Sequence, residues 1–294
     1  MKPNTVRRTV GYLWILPALL LLLVFVYYPI VENFRLSVYK WNAFQPEPKF
    51  VGLGNYERVL ADPVFWTSIG NNVGYAVVSV VFQVGIALIL AAVLEGVVAP
   101  RLRGFLRTIY FIPATISITI VGLLFRIIYQ PDGLFNSFLA LLGVHSTTAW
   151  LGERETAIWS VIAMSQWQNL GYTTMLFVVA IQRIPREFYD AAAVDGAGPV
   201  RSFFAVTVPM VREMTTLLMI VTISGAFLVF NEIMATTAGS PGNSSQVLGT
   251  WLYQSAFKND DMGYAAVVAV VIFVITFTAA LLQLGYGRLR RVEQ

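Results

Sequence analysis

Six apolar runs of about 20 residues, separated by polar segments, constrain this chain more than any other feature. The hydrocarbon core of a bilayer is about 30 Å thick and takes about 20 helical residues to cross. The runs Tyr12–Val31, Asn72–Leu94, Thr108–Tyr129, Thr156–Ile181, Met214–Ala235 and Met262–Gly285 each meet that length. Helices are the open-ended elements that satisfy all their backbone groups inside lipid, so the runs read as helices rather than strands. The expectation is an all-α polytopic membrane protein with six transmembrane helices in a single domain over 1–294. Composition agrees: charged residues make up 12% of the chain and hydrophobic residues 57%, whereas a soluble domain carries about 25% charge.

The first run follows Lys2, Arg7 and Arg8, as the apolar core of a signal peptide would. It is too long for such a core, and aromatics and a proline follow it instead of a small-residue cleavage site, so it reads as a retained first span. Lysine and arginine placement then sets the orientation. With the N-terminus inside, 13 of the 20 basic residues fall in the inner segments, among them Arg101, Arg103, Arg107, Arg183, Arg186 and Arg201. Both termini are therefore expected on the cytoplasmic side. The net charge of +4 reflects this inner bias and gives no sign of a nucleic-acid partner. The outer segments (32–71, 130–155 and 236–261) carry prolines, glycines and aromatics, which predict ordered caps.

Several chemistries are excluded outright. The chain has no cysteine and one histidine, so thiolate nucleophiles, disulfides and histidine metal clusters are absent. His145 sits in a loop-like stretch and reads as an exposed loop residue. No G-x-x-x-x-G-K-[ST] phosphate loop occurs, and "VGLGNY" has neither its spacing nor its lysine. The chain is expected to be no enzyme and to bind no cofactor of its own.

One inner segment, "EFYDAAAVDGAGPVRSFFAVTVP" (187–209), is unlike the rest. Pro185 is suited to a first helical position, and Glu187 and Asp190 place acid in the first turns, where the helix dipole favours it. Ala191, Ala192 and Ala193 leave a nearly bare face. Asp195 follows, Gly196 and Gly198 allow a tight bend, and Pro199 can begin a second helix carrying Arg201, Phe203 and Phe204 and ending before Pro209. A helix lying on the membrane surface would present a broad apolar face rimmed with lysines. This segment has acid, small residues and two adjacent phenylalanines, which suits docking against protein better.

The stretch "DAAAVDGAGPVRSFFAVTVP" resembles the EAA loop of binding-protein-dependent ABC importer permeases, whose pattern is Glu-Ala-Ala, three residues, Gly, nine residues, Ile-x-Leu-Pro. Asp190, Ala191, Ala192, Gly196, Val206, Val208 and Pro209 fill the fixed places. Asp190 stands where the family has glutamate, keeping the charge on a side chain one methylene shorter. "WILPALLLLLVFVYYPIVENFRLSVYKW", "FVGLGNYERVL" and "RTIYFIPA" extend the resemblance along the chain, toward the maltose- and glycerol-phosphate-type sugar permeases. Among these it is similar to the relatives of the maltose permease's larger subunit. The resemblance implies a type I importer fold with a cytoplasmic coupling helix in the loop 183–212, in a bacterial inner membrane. It also implies a second homologous permease, an ATPase dimer that holds ATP and magnesium, and an outside binding protein that delivers a sugar. The Asp190 position is implied to pair with an arginine of the ATPase.

For the solute path, the fourth run is the most polar, in "AMSQWQNLGYTTMLF". Ser165, Gln168, Asn169 and Tyr172 fall on one helical face, with Trp167 beside it. Amides and an aromatic ring suit a neutral polyhydroxyl solute, and the resemblance places sugar contacts in this stretch. Two readings of Gln168 and Asn169 stand: they line the path, or they join helices by hydrogen bonds. Thr115, Ser117 and Thr119 follow Pro113, where an irregular turn would aim hydroxyls at the path, although hydroxyls satisfying backbone are the simpler account. Phe230, Asn231 and Glu232 lie toward the outer end of the fifth run, where Glu232 faces a vestibule, holds the binding protein or is a solvated interfacial acid. Gln83 reads as a helix–helix hydrogen bond. A secondary transporter or channel would show a carboxylate near mid-membrane, which the spans lack apart from Glu232. A glycerophosphodiester or other small polar solute is the alternative cargo for the same importer class.

Overall fold

The computed structural model describes residues 14–42, 44, 47–96 and 98–289. The expectations that rest on Lys2, Arg7, Arg8, Arg290 and Arg291, and on the first residues of the first run, lie outside them. The described chain is helical apart from one two-stranded hairpin and the connecting loops.

In chain order, α1 (Trp14–Ser37) contains a π turn at Leu23–Tyr27. The strands β1 (Tyr39–Lys40) and β2 (Lys49–Phe50) pair antiparallel, with Tyr39 opposite Phe50, and their rings meet edge to face at 5.4 Å. The helices α2 (Gly54–Ala61) and α3 (Pro63–Gly96) follow. Next come α4 (Pro100–Phe111), α5 (Ile118–Ile128), α6 (Leu134–Leu141) and α7 (Ala157–Ile181). The inner segment forms α8 (Arg186–Val194) and α9 (Pro199–Met210). The remainder is α10 (Arg212–Phe227), α11 (Asn231–Thr236), α12 (Leu248–Tyr253) and α13 (Met262–Leu289).

The chain divides into two compact units, one made of 1–62 with 252–271, the other of 63–251 with 272–294. In the first, polar side chains tie the hairpin and α2 to the start of α13. Asn55 is buried and donates to the carbonyls of Ser37 and Tyr39 at 3.0 and 2.9 Å. The Met262 amide donates to the Trp41 carbonyl at 3.1 Å, and Arg58 meets Asp261 at 2.5 Å. The order expected of 32–71 from its prolines, glycines and aromatics is found in this assembly.

In the second unit α3 and α7 run against each other. A buried cluster that includes Ala87, Ala91, Leu94, Phe177, Val178 and Leu218 packs them with α10. Two close backbone approaches fix this packing. A Cβ on Gly171 would collide with the Tyr110 carbonyl, and one on Gly122 would come within 2.7 Å of the Ala235 Cβ.

The spans depart from the six expected continuous helices. Among the described residues three helices are long and apolar enough to cross a bilayer: α1, α3 and Met262–Gly285 of α13. The third expected run is a bent pair. The stretch 101–115 ends in a 3-10 turn at Ile112–Thr115 that contains Pro113, and α5 leaves it at 95°. Another bend, of 71°, separates α9 from α10. With each bent pair taken as one span, the number rises to five. The fourth expected run is the unbroken 25-residue α7, which glutamine, asparagine, serine and threonine make more polar than the others. The fifth run ends early: α10 stops at Phe227, and α11 begins only at Asn231.

Candidate functional site

The inner helical pair is built much as its residues dictate. Pro185 immediately precedes α8, with φ −58° and ψ 136°, so the helix starts one residue later than its proline suggests. Gly196 turns the chain with φ +75°, a left-handed conformation that glycine enters without steric cost. Pro199 is the first residue of α9. The second helix does not end before Pro209: a π turn over Phe203–Thr207 carries it through to Met210. The Tyr189 hydroxyl and the Thr207 Oγ1, 2.9 Å apart, join the two helices.

Two faces result. Tyr189, Ala192 and Phe203 pack inward on the core cluster. Glu187, Asp190, Ala191, Asp195, Gly196, Arg201, Phe204 and Pro209 are exposed. Exposed apolar side chains stand among these charges, Val194 at 89%, Val200 at 73% and Phe204 at 65%. Phe203 and Phe204, adjacent in sequence, meet edge to face at 5.0 Å, and Phe203 packs on the core cluster while Phe204 is exposed. Beside the pair opens a groove of about 1090 Å³, whose wall includes Glu95, Arg103, Gln182, Tyr189 and Asp190.

The candidate path residues lie on α7, at the break between α4 and α5, and at the start of α11. Gln168 is buried on α7, and its Nε2 donates at 2.8 Å to the carbonyl of Ile116, in the break between α4 and α5. Its Oε1 is buried without a hydrogen-bond partner. Thr115 and Ser117 flank that break and are exposed, and the Thr115 hydroxyl donates back to the Ile112 carbonyl at 2.7 Å. Asn169 is half-buried and donates to the Ser165 carbonyl on its own helix at 3.0 Å. Trp167 and Tyr172 are about half exposed, and the Trp167 ring lies 5.4 Å from that of Phe125.

Phe230, Asn231 and Glu232 occupy the second break and the first turn of α11, which packs on both α5 and α7. Asn231 is exposed there, and Phe230 and Glu232 are half-buried. The hydroxyl of Tyr75 on α3 is buried without a hydrogen-bond partner. Irregular backbone at membrane depth occurs where it lines a cavity or is held by protein, so the two breaks, with the unpaired Gln168 Oε1 beside one of them, form a candidate polar passage.

Sequence reasoning missed Asn72, the residue that meets the end of α10, and its neighbour Asn71. Asn72 is fully buried on α3; its Nδ2 donates to the Ala226 carbonyl at 2.6 Å, and its Oδ1 accepts from the Leu248 amide at 2.8 Å. The neighbouring Asn71 donates to the carbonyls of Ser244 and Gln246, both at 2.7 Å. The expected bond of Gln83 is present and its partner is Gln166: Gln83 Nε2 donates to Gln166 Oε1 at 2.9 Å, and Gln166 donates to Ser79 Oγ at 3.1 Å.

Comparison with known proteins follows the same lines. Residues 83–291 match the family model described as binding-protein-dependent transport system inner membrane component. The chain is 48% identical over 289 residues to the probable ABC transporter permease protein YurN of Bacillus subtilis (strain 168), covering 98% of this chain and 99% of that one. It is 32% identical to the arabinooligosaccharides transport system permease protein AraP of Halalkalibacterium halodurans, over 95% and 87% of the two chains. A chain in the crystal structure of a bacterial ABC transporter involved in the import of the acidic polysaccharide alginate superimposes with a TM-score of 0.84, at 21% identity and 97% coverage of each chain. At that identity the likeness is one of fold.

Proposed function

The chain belongs to the family of binding-protein-dependent transport system inner membrane components, and on that premise we propose that it carries a sugar or oligosaccharide inward in an ATP-driven importer. Six spans with both termini inside complete the permease: α7, α10 and the bent pair of α4 and α5 cross together with the three long helices. The chain binds no nucleotide. ATP and magnesium stay on a separate ATPase dimer, a second homologous permease completes the channel, and an outside binding protein delivers the solute. The setting is a bacterial inner membrane.

The observation that carries this reading is the outward face of α8 and α9. Asp190 and the bare Ala191 stand there beside exposed Val194, Val200 and Phe204. An acid, a close-approach surface and apolar anchors on one rigid pair of helices are what a protein cleft needs to grip it. We assign α8 as the coupling helix, with Glu187, Asp195, Gly196, Arg201, Phe203 and Pro209 shaping or flanking the contact. Closure of the ATPases then rocks the bundle between inward- and outward-facing packings, a rigid-body switch.

The solute passes the broken helices. Ser165, Gln168, Asn169 and Tyr172 with Trp167 form one wall; Thr115, Ser117, Phe230, Asn231 and Glu232 form the other. Opening of the packing around Gln168 would offer its buried, unpaired Oε1 to a sugar hydroxyl, and the half-exposed Trp167 and Tyr172 rings suit the apolar face of a pyranose. The test is ATP-dependent uptake of labelled oligosaccharides by proteoliposomes holding this chain with its partner permease, ATPase and binding protein. ATP-dependent accumulation of at least one oligosaccharide is expected; accumulation driven by an ion gradient without ATP would overturn the reading.

A further inference from the structure

At the inner end of the second unit, three helices meet on one carboxylate. Glu95, near the end of α3, accepts from Arg103 Nη1 at 3.3 Å, from Arg107 Nη2, and from Gln182 Nε2 at 3.2 Å. Arg103 and Arg107 stand four residues apart on α4, so one helical face presents both guanidiniums to the same acid. Arg103 Nη2 also donates to the carbonyls of Glu95 and Val98, at 2.9 and 3.1 Å. The Glu95 side chain is 11% exposed. Gln182 is the residue that caps α7, and α8 begins at Arg186.

The cluster thus sits at the root of the inner helical pair. Between Gln182 and Arg186 the backbone is not helical, and such a link would yield when the pair is pushed. Ile184 is buried in the core cluster, which seats the link without fixing its direction. Two ion pairs on this side of the unit, from Arg103 and Arg107, converge on Glu95. The same groove wall carries Arg186 and Asp190, so the acid faces one side of the docking element while holding the helices behind it.

We infer that Glu95 is a positioning residue for transport: it locks the ends of α3, α4 and α7 into one body, so that motion of the coupling pair reaches the bundle instead of being absorbed at residues 182–185. This rests on the importer reading above. A buried acid serving stability alone would lower the amount of folded protein and leave the solute moved per ATP untouched. A positioning role changes that ratio, because hydrolysis proceeds on the ATPases while the bundle follows incompletely.

The experiment compares the unsubstituted chain, Glu95→Gln and Glu95→Asp in proteoliposomes with the partner permease, ATPase and binding protein. Solute uptake, ATP hydrolysis and ATPase retained on purification are measured together. In Glu95→Gln, retention is expected to persist while solute per ATP falls by about 5-fold or more, the lower end of coupling between distinct sites. Glu95→Asp is expected to restore much of the ratio. An unchanged ratio in Glu95→Gln, or uptake that falls only in proportion to lost ATPase, overturns the proposal alone. Absence of ATP-driven uptake with the unsubstituted chain overturns the importer reading and this proposal with it.

Discussion

Asn72 and Ala226 are joined by a hydrogen bond of 2.6 Å from the side-chain Nδ2 to the main-chain carbonyl, at the point where α10 runs out inside the bundle. A helix that ends within the membrane leaves carbonyls that water does not reach. Asn72 meets one of them and, through its Oδ1, also holds the Leu248 amide at the start of α12. One side chain on an unbroken helix thus makes a broken one tolerable.

Asn72→Leu is expected to cost about 1–3 kcal/mol for each of the two backbone groups it leaves unpaired. Gln83→Leu removes a single helix–helix bond of a kind that averages about 0.6 kcal/mol in membrane proteins. Thermal unfolding in detergent, followed by size-exclusion recovery, should place Asn72→Leu well below Gln83→Leu. Equal midpoints would remove the special role of Asn72.

Gly171 and Gly85 make a matched pair. A Cβ at Gly171 meets the Tyr110 carbonyl, whereas at Gly85 nothing lies within 4 Å. Gly171→Ala must therefore push α4 away from α7, and overpacking of this kind costs about 1–3 kcal/mol or more. Gly85→Ala should leave folded yield unchanged. A Gly171→Ala protein as stable as the parent would mean that the helices do not touch there.

Gly196 separates backbone conformation from contact. Its φ of +75° is strained for alanine by about 1–2 kcal/mol, while asparagine tolerates it. Gly198 has φ −71° and no neighbour within 4 Å of an added Cβ. Retention of the ATPase should fall in the order Gly198→Ala, Gly196→Asn, Gly196→Ala, Gly196→Pro. If Gly196→Pro retains its ATPase as the parent does, the bend is irrelevant to docking.

Asn169 bonds within its own helix, so Asn169→Leu should leave assembly and thermal stability close to the parent while uptake falls. Assembly is read by retention of the ATPase on purification and uptake by labelled solute. Unchanged uptake would assign the residue to helix architecture.

The apolar runs made the helices legible, and proline and glycine made the inner bend legible to within a residue. The breaks were harder to read. Pro113 marks the one between α4 and α5, but "AFLVFN" continues the fifth run without a proline, and the carbonyl near the helix end is met by Asn72, some 150 residues away in sequence. Helical spacing puts Ser165, Gln168, Asn169 and Tyr172 on one face, yet it could not show that Gln168 reaches the Ile116 carbonyl. Gln166, on a different face, escaped notice because its partners, Ser79 and Gln83, lie on another helix. Local pattern carries element type; partners distant in sequence decide where an element stops.

The proposed coupling of α8 to an ATPase runs through its exposed acid, Asp190. Asp190→Lys reverses that charge at an exposed position, where the fold should absorb the change. Membrane insertion and thermal stability are expected to match the parent, while ATPase retained on purification and ATP-dependent uptake both fall to background. Full retention with normal uptake in Asp190→Lys would contradict the account.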